Sequence, residues 1–282
     1  MEIKSIAIAG AGTMGAGIAQ VCAQADFNVI LFDINEQMLT KAKTNIEQSL
    51  DKLCNSGKIT QEHAKIVISH IQFQSDIKLV KADLIIEAIV EKLNIKVDLF
   101  IKLMELNGSK TIYASNTSSI PITQIASQLP FPSQFIGIHF FNPAQIMKLV
   151  EIIKGAKTEP LIVEIVYGLI QKLKKEPVIA ADAPGFIVNR IARLYYVEAL
   201  KILEEGVCDF NAIDSIMESS GFKMGPFKLM DLIGVDTNYS VTESQFELFN
   251  YEPRFRPSRI QKQKVDAGLH GRKSKEGFYK YE

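Results

Sequence analysis

The sequence predicts an α/β chain, in which a doubly wound and largely parallel sheet is followed by an all-α C-terminal portion. Three observations predict it. A strand-length apolar run ends in a glycine turn and opens a helix at the very start of the chain. Short apolar runs then alternate with helical segments as far as residue 180. After Pro184-Gly185 no strand-length run recurs, and only helical periodicity remains.

Ile3, Ile6 and Ile8 form the first run, which stops at Gly10, and a helical pattern extends from Met14 to about Ala25. Val29 to Phe32 is a second strand, ending in Asp33. Strand, turn, helix and strand within about thirty residues make the opening βαβ unit of such a sheet. Residues 35–72 are polar-apolar and rich in Lys41, Lys43, Lys52, Lys58 and Lys65; Ser56-Gly57 breaks them into two expected helices. This insertion is longer than a crossover needs and suits contact with the tail of a ligand. Further parallel-type strands are expected at 84–89, 111–115, 135–140, 148–153 and 178–180, with helices at 94–106, 120–129 and 160–173. Largely apolar strands between helices indicate a sheet covered on both faces.

The expected domain boundary lies near residue 183, giving a sheet domain at 1–183 and a helical domain at 184–282. Residues 186–205 have long helical periodicity, with Ile187, Ile191, Leu194, Tyr195, Ala199 and Ile202 on one side. Residues 211–219, 227–233 and 235–249 also read as helices.

Composition excludes several classes. The 282 residues are 47% apolar and 23% charged, the mix of a globular protein. Lys+Arg and Asp+Glu are 32 each, so zero net charge gives no electrostatic case for nucleic acid or an anionic membrane. Apolar stretches such as 84–90 are far too short for a bilayer. The N-terminal MEIKSIAIAG enters a strand at once, without the parts of a signal peptide, so a cytoplasmic protein is expected. Cys22, Cys54 and Cys208 are scattered, with no CxxC pair, which suits a reducing compartment and argues against a disulfide frame or a zinc site.

Gly10-Ala11-Gly12-Thr13-Met14-Gly15 is a GxGxxG turn between a strand and a helix. Gly10 permits the tight turn, Gly12 lets backbone approach a pyrophosphate, and Gly15 lets helix pack on strand. Amides at the helix start then meet phosphate oxygens. Asp33, at the end of the second strand, suits the ribose hydroxyls of adenosine and repels a 2′-phosphate, so NAD is favoured over NADP. A methyltransferase also places an acid there, but the third glycine and the spacing favour a dinucleotide.

His139 stands at the end of the apolar run FIGIHF, where open α/β sheets bind ligands. Its imidazole can take and give a proton near neutral pH. The same pattern also suits a hydrogen-bonded core histidine. His63, His70 and His270 have more polar neighbours and read as solvated. Glu151 interrupts the apolar LVEII, where a buried carboxylate needs a partner. Either His139 on a neighbouring strand is that partner, or Glu151 points outward from an edge. The segment Ser115-Asn116-Thr117-Ser118-Ser119 ends another strand, where its polar groups either orient a ligand or cap the next helix. Asn189 opens the long second-domain helix, as a capping or solvated residue or as one turned to a ligand.

GAGTMGAGIAQ, IIEAIVE, SNTSS, GIHFFNP, MKLVEII, DAPGFIVNR, GPFKLMDLIG and GRKSKEGFY together resemble the 3-hydroxyacyl-CoA dehydrogenase family, over residues 10–279. The resemblance is nearest to single-unit bacterial 3-hydroxybutyryl-CoA dehydrogenases. It implies a Rossmann-type NAD-binding domain and a helical substrate domain that dimerises. It implies His139 as catalytic base and Glu151 as its partner, with Ser118 and Asn189 orienting the C3 oxygen of an (S)-3-hydroxyacyl-CoA. On the cofactor side it implies the 10–15 turn, Asp33, Glu91, Lys96, Ser118, Asn142 and Lys273. In the insertion it implies Ser49 as a CoA contact. The chain departs from the family at Ala144-Gln145-Ile146, where a second proline is usual, and at Arg259 and Lys275. These departures leave the tail's fine contacts open, and Tyr195-Tyr196 and residues 238–250, which match no diagnostic signature, leave acyl-length preference open. Related dehydrogenases with a lysine base lack the GIHFFNP run, and a non-catalytic NAD-binding relative would lack His139, Glu151, Ser118 or Asn189.

Overall fold

The computed structural model describes residues 2–282, which fall into two compact units divided between Ala183 and Pro184. The first unit begins with β1 (Ser5–Ala9), α1 (Thr13–Gln24) and β2 (Asn28–Phe32). Next come α2 (Glu36–Asn55), α3 (Gln61–Ser69) and β3 (Ile71–Gln74). Asn35 and Thr60 start these two helices as side-chain caps, accepting from Gln37 N and His63 N. The unit continues with β4 (Leu84–Glu87), α4 (Leu93–Asn107), β5 (Ile112–Ser115), α5 (Ile122–Ala126) and β6 (Phe135–Phe140). It closes with β7 (Leu149–Lys154), α6 (Pro160–Lys172) and β8 (Glu176–Ala181).

The strands form one sheet in the order β3-β2-β1-β4-β5-β6-β7-β8. From β1 the chain builds outward to β3, then returns to β4 on the other side of β1. That reversal is the switch point at which doubly wound sheets bind ligands. Every residue of β4, β5 and β6 is buried, which explains why these strands read as continuous apolar runs. Ile8, Leu31, Ile86, Ile136 and Ile152 lie in the core between sheet and helices.

Three expectations need correction. The sheet is not parallel throughout, because β7 runs antiparallel to β6. The segment 141–148 between them is too short for a parallel crossover, which needs about a dozen residues. Second, β3 pairs with β2 at the edge of the sheet, beginning just inside the stretch expected to be helical. Its sequence IQFQ lacks an apolar run because only Ile71 is buried.

The third correction lies in the second unit, which comprises α7 (Val188–Glu204), α8 (Phe210–Ser219), α9 (Pro226–Ile233), α10 (Val235–Leu248) and α11 (Arg259–Asp266). The face of α7 expected to be buried is partly outside, with Ile191 68% and Leu194 42% exposed. The buried residues are Arg193, Tyr196, Val197, Ala199 and Leu200. The core of this unit gathers Tyr196, Leu200, Phe227, Met230 and Phe278. Two buried carboxylates tie its parts together. Asp214 accepts the Phe227 and Lys228 amides at the start of α9 and the Tyr279 hydroxyl. Asp231 accepts the amides of Phe278 and Tyr279, so the C-terminal tail is fastened to α9. No described helix is long and apolar enough to cross a membrane.

Candidate active site

Parallel β1, β2, β4, β5 and β6 all point their carboxyl ends to one edge of the sheet. The glycine turn, Asp33, Glu87 to Glu91, Ser115 to Ser119 and His139 therefore share that edge. The antiparallel β7 starts there, which brings Glu151 directly opposite His139. His139 Nδ1 lies 2.7 Å from Glu151 Oε2, with the side chains 6% and 1% exposed. A carboxylate only accepts, so Nδ1 carries the shared proton and Nε2 is the basic nitrogen. The outward-pointing alternative for Glu151 is excluded by its burial. Phe141 packs against the imidazole, with ring centroids 4.6 Å apart.

The turn after β5 is fastened on two sides. Asn116 Oδ1 accepts the Phe140 amide at 2.8 Å, which ties this turn to the strand of His139. On the other side Glu91 Oε1 accepts from Thr117 Oγ1, Ser118 N, Ser119 N and Ser119 Oγ. Lys96, only 1% exposed, bridges Glu91 at 3.0 Å and the buried Glu87 at 2.6 Å. Glu87 in turn accepts Ser115 Oγ at 2.6 Å. One ammonium thus joins two carboxylates, and the network ends on the backbone of Ser118. Burial pushes the Glu87 carboxyl up, against the opposing pull of Lys96. For Glu91 burial also acts upward, but Lys96 and the hydrogen bonds from Thr117, Lys96 and Ser119 outweigh it and hold it below the ordinary carboxylate value. Glu87 and Asn116 were missed as site residues. The signal for Glu87 was present, since an acid inside LIIE raises the same question as Glu151 inside LVEII.

The glycine turn has the shape that a dinucleotide needs. Gly10 has φ +111°, and a Cβ there would stand 2.6 Å from Ala88 O. A Cβ on Gly15 would stand 1.7 Å from Gly10 O, so only glycine lets α1 start this close to the strand. Gly12 opens on space, with nothing within 4 Å of an added Cβ. Thr13 and Met14 begin α1, and no side chain caps its start, as anion binding there requires. Asp33 accepts the Ala11 amide at 2.8 Å and the Asn35 amide at 2.9 Å, so it shapes the turn itself. Beside it is a cavity of about 470 Å³ lined by Phe32, Asp33, Ile34, Ile77, Ile89 and Ile95, among others. An apolar slot with a carboxylate at its rim fits an adenosine.

Asn142 is exposed just beyond β6, and Ser49 is half-buried on α2. Asn189 and Lys273 belong to the second unit. Asn189 is half-buried in the first turn of α7. The Lys273 ammonium is 2.6 Å from the Asp236 carboxylate. His63, His70 and His270 are half-buried rather than fully solvated.

Residues 5–183 match the family profile described as 3-hydroxyacyl-CoA dehydrogenase, NAD binding domain, and residues 185–281 match the one described as 3-hydroxyacyl-CoA dehydrogenase, C-terminal domain. The chain belongs to the 3-hydroxyacyl-CoA dehydrogenase family. Its first unit is accordingly the family's NAD-binding domain. A probable 3-hydroxybutyryl-CoA dehydrogenase of Deinococcus radiodurans is 44% identical over 97% of this chain and 99% of its own length. A 3-hydroxyadipyl-CoA dehydrogenase of Escherichia coli is 43% identical over 99% of this chain, which spans 59% of that longer relative. The crystal structure of the (S)-3-hydroxybutyryl-CoA dehydrogenase of Ralstonia eutropha superposes with a TM-score of 0.96 at 37% identity, covering 100% of both chains.

Proposed function

We propose that this protein catalyses the reversible, NAD-dependent interconversion of an (S)-3-hydroxyacyl-CoA and its 3-keto counterpart, with 3-hydroxybutyryl-CoA as the representative substrate. The observation that carries the reading is the buried His139–Glu151 pair at the carboxyl edge of an NAD-binding sheet. The nicotinamide supplies the acceptor or donor of hydride at C3. In the oxidation direction His139 Nε2 takes the proton of the 3-hydroxyl, and in reduction it returns one. Glu151 fixes the tautomer and stabilises the imidazolium that forms. Ser118 and Asn189 hold the C3 oxygen, a positioning effect that lowers the entropic part of the barrier.

On the cofactor side, the 10–15 turn takes the pyrophosphate and Asp33 the adenosine ribose. Glu91 and Lys96 act by fixing the turn that carries Ser118, while Asn142 and Lys273 are direct contacts. Ser49 on α2 meets the CoA. The exposed apolar residues Ile191 and Leu194 on α7 support a homodimer formed through the helical domain. Three free cysteines support a cytoplasmic location.

The test follows NADH absorbance with acetoacetyl-CoA, alongside NADPH. Fast oxidation of NADH and much slower oxidation of NADPH is the expected result. Rapid use of NADPH would overturn the role of Asp33 in cofactor choice. Oxidation of neither, with acetoacetyl-CoA and with longer 3-ketoacyl-CoAs, would overturn the activity.

A further inference from the structure

β5 ends at Ser115, which pairs with Gly137, while β6 runs on to Phe140. The Phe140 amide therefore lies beyond the reach of the β5 ladder. Phe140 is only 2% exposed, so this N–H needs an acceptor. Asn116 Oδ1 is that acceptor, at 2.8 Å. The amide of Asn116 itself donates to Glu87 O at 2.8 Å, so backbone and side chain of this residue are both held.

A backbone N–H only donates, so the carboxamide must turn its oxygen to Phe140. That gives the NH2 group a fixed direction. Among the described residues Nδ2 meets no acceptor, and it keeps access to solvent. The Phe140 amide needs an acceptor alone, so the donor half of this side chain serves nothing in the sheet. It stands at the carboxyl edge, two residues before Ser118 and bonded to the residue that follows His139. That edge is where an open α/β sheet meets its ligand, and the unit is the NAD-binding domain. For His139 and the nicotinamide to act on one carbon, the ring must come to this edge too. Hydride enters or leaves at ring C4, and the carboxamide stands on the adjacent ring carbon. Its carbonyl oxygen calls for a donor. A donor with its direction set in advance loses little freedom on binding and holds the ring in one rotational setting.

We propose that Asn116 is a cofactor-contacting residue, whose Nδ2 donates to the carbonyl oxygen of the nicotinamide carboxamide while Oδ1 holds the strand of His139. The inference rests on the reading that NAD is the cofactor and that its ring meets the substrate beside His139. One side chain then ties the reacting ring to the strand that carries the base.

The test compares NADH with its thionicotinamide analogue, in which sulfur replaces the carboxamide oxygen and accepts hydrogen bonds poorly. Titration calorimetry measures Kd for both, on the full-length parent and on Asn116→Asp. The aspartate keeps an oxygen for the Phe140 amide and removes the donor. Its charge acts on both cofactors alike, so the ratio of the two Kd values isolates the bond. The parent should bind NADH roughly 3- to 10-fold more tightly than the analogue, the span of one neutral hydrogen bond. Asn116→Asp should bring that ratio to about one. Asn116→Ala, which also gives up the Phe140 bond, takes its place if Asn116→Asp does not fold. Equal binding of the two cofactors by the parent would overturn the proposal, as would a variant that keeps the parental ratio. A parental ratio beside a raised KM for acetoacetyl-CoA would assign the donor to the substrate instead and overturn it as well. A folded parent that binds neither cofactor would overturn the NAD reading and this inference with it.

Discussion

His139 and Glu151 face one another across the antiparallel pairing of β6 and β7, with Nδ1 and Oε2 2.7 Å apart. The reversal of β7 creates this pair, because it starts β7 at the edge where β6 ends. Replacing Glu151 with Gln should lower kcat by roughly 10- to 100-fold, since the amide no longer stabilises an imidazolium. KM for NADH should stay within about twofold, because the glycine turn and Asp33 are untouched. Steady-state kinetics with acetoacetyl-CoA measures both. An equal change in kcat and NADH affinity would mean that Glu151 supports the fold of the domain instead.

Lys96 answers two carboxylates at once, and its loss should be felt throughout the domain. Lys96→Met leaves the buried Glu87 without its cation, whereas Glu87→Gln leaves Lys96 still paired with Glu91. Lys96→Met should cost about 3–5 kcal/mol of stability, the scale for breaking a buried pair, and Glu87→Gln less. Urea denaturation checks this, and changes below about 1 kcal/mol would show that the pair is dispensable.

Asp33 holds the Ala11 amide as well as lining the apolar cavity beside the glycine turn. Asp33→Ala should therefore raise KM for NADH by roughly tenfold, equivalent to about 1.4 kcal/mol of binding. The preference for NADH over NADPH should narrow together with it. Comparing kcat/KM for the two cofactors reads this directly, and an unaltered ratio would remove Asp33 from cofactor selection.

Glu91 gives a pH dependence of known sign. Its folded pKa lies below the ordinary 4.5, because Lys96 and the hydrogen bonds of the Ser118 turn outweigh burial. The folded protein therefore binds this proton less tightly than the unfolded chain. The resulting stability is complete above the unfolded value and is lost as pH falls through the lowered folded value. Thermal unfolding should find Glu91→Gln less stable than the parent at neutral pH, with the gap closing on acidification. A gap that widens in acid would contradict this direction.

Much of this arrangement was legible in the sequence, for physical reasons. The glycine turn was readable because Gly10 and Gly15 occupy places that no Cβ can share. Glu151 and His139 stood out because polar groups in apolar strands require partners. The direction of β7 was not legible, since an apolar strand reads the same either way; the short 141–148 segment was the available clue. β3 escaped because an edge strand buries little. The face of α7 was misjudged because periodicity ranks residues by polarity, whereas Arg193 is buried through its hydrogen bonds and Ile191 is exposed. Glu91 and Lys96 came from family resemblance, and the local sequence gave no hint that Lys96 would be sealed between two acids.

The central claim is that His139 moves the proton at C3. The most direct measurement is kcat of His139→Gln with acetoacetyl-CoA and NADH, with NADH binding followed separately by fluorescence titration. A fall in kcat of about 100-fold or more with near-parental NADH affinity is the predicted result. Near-parental turnover in a folded, NADH-binding His139→Gln protein would contradict the account.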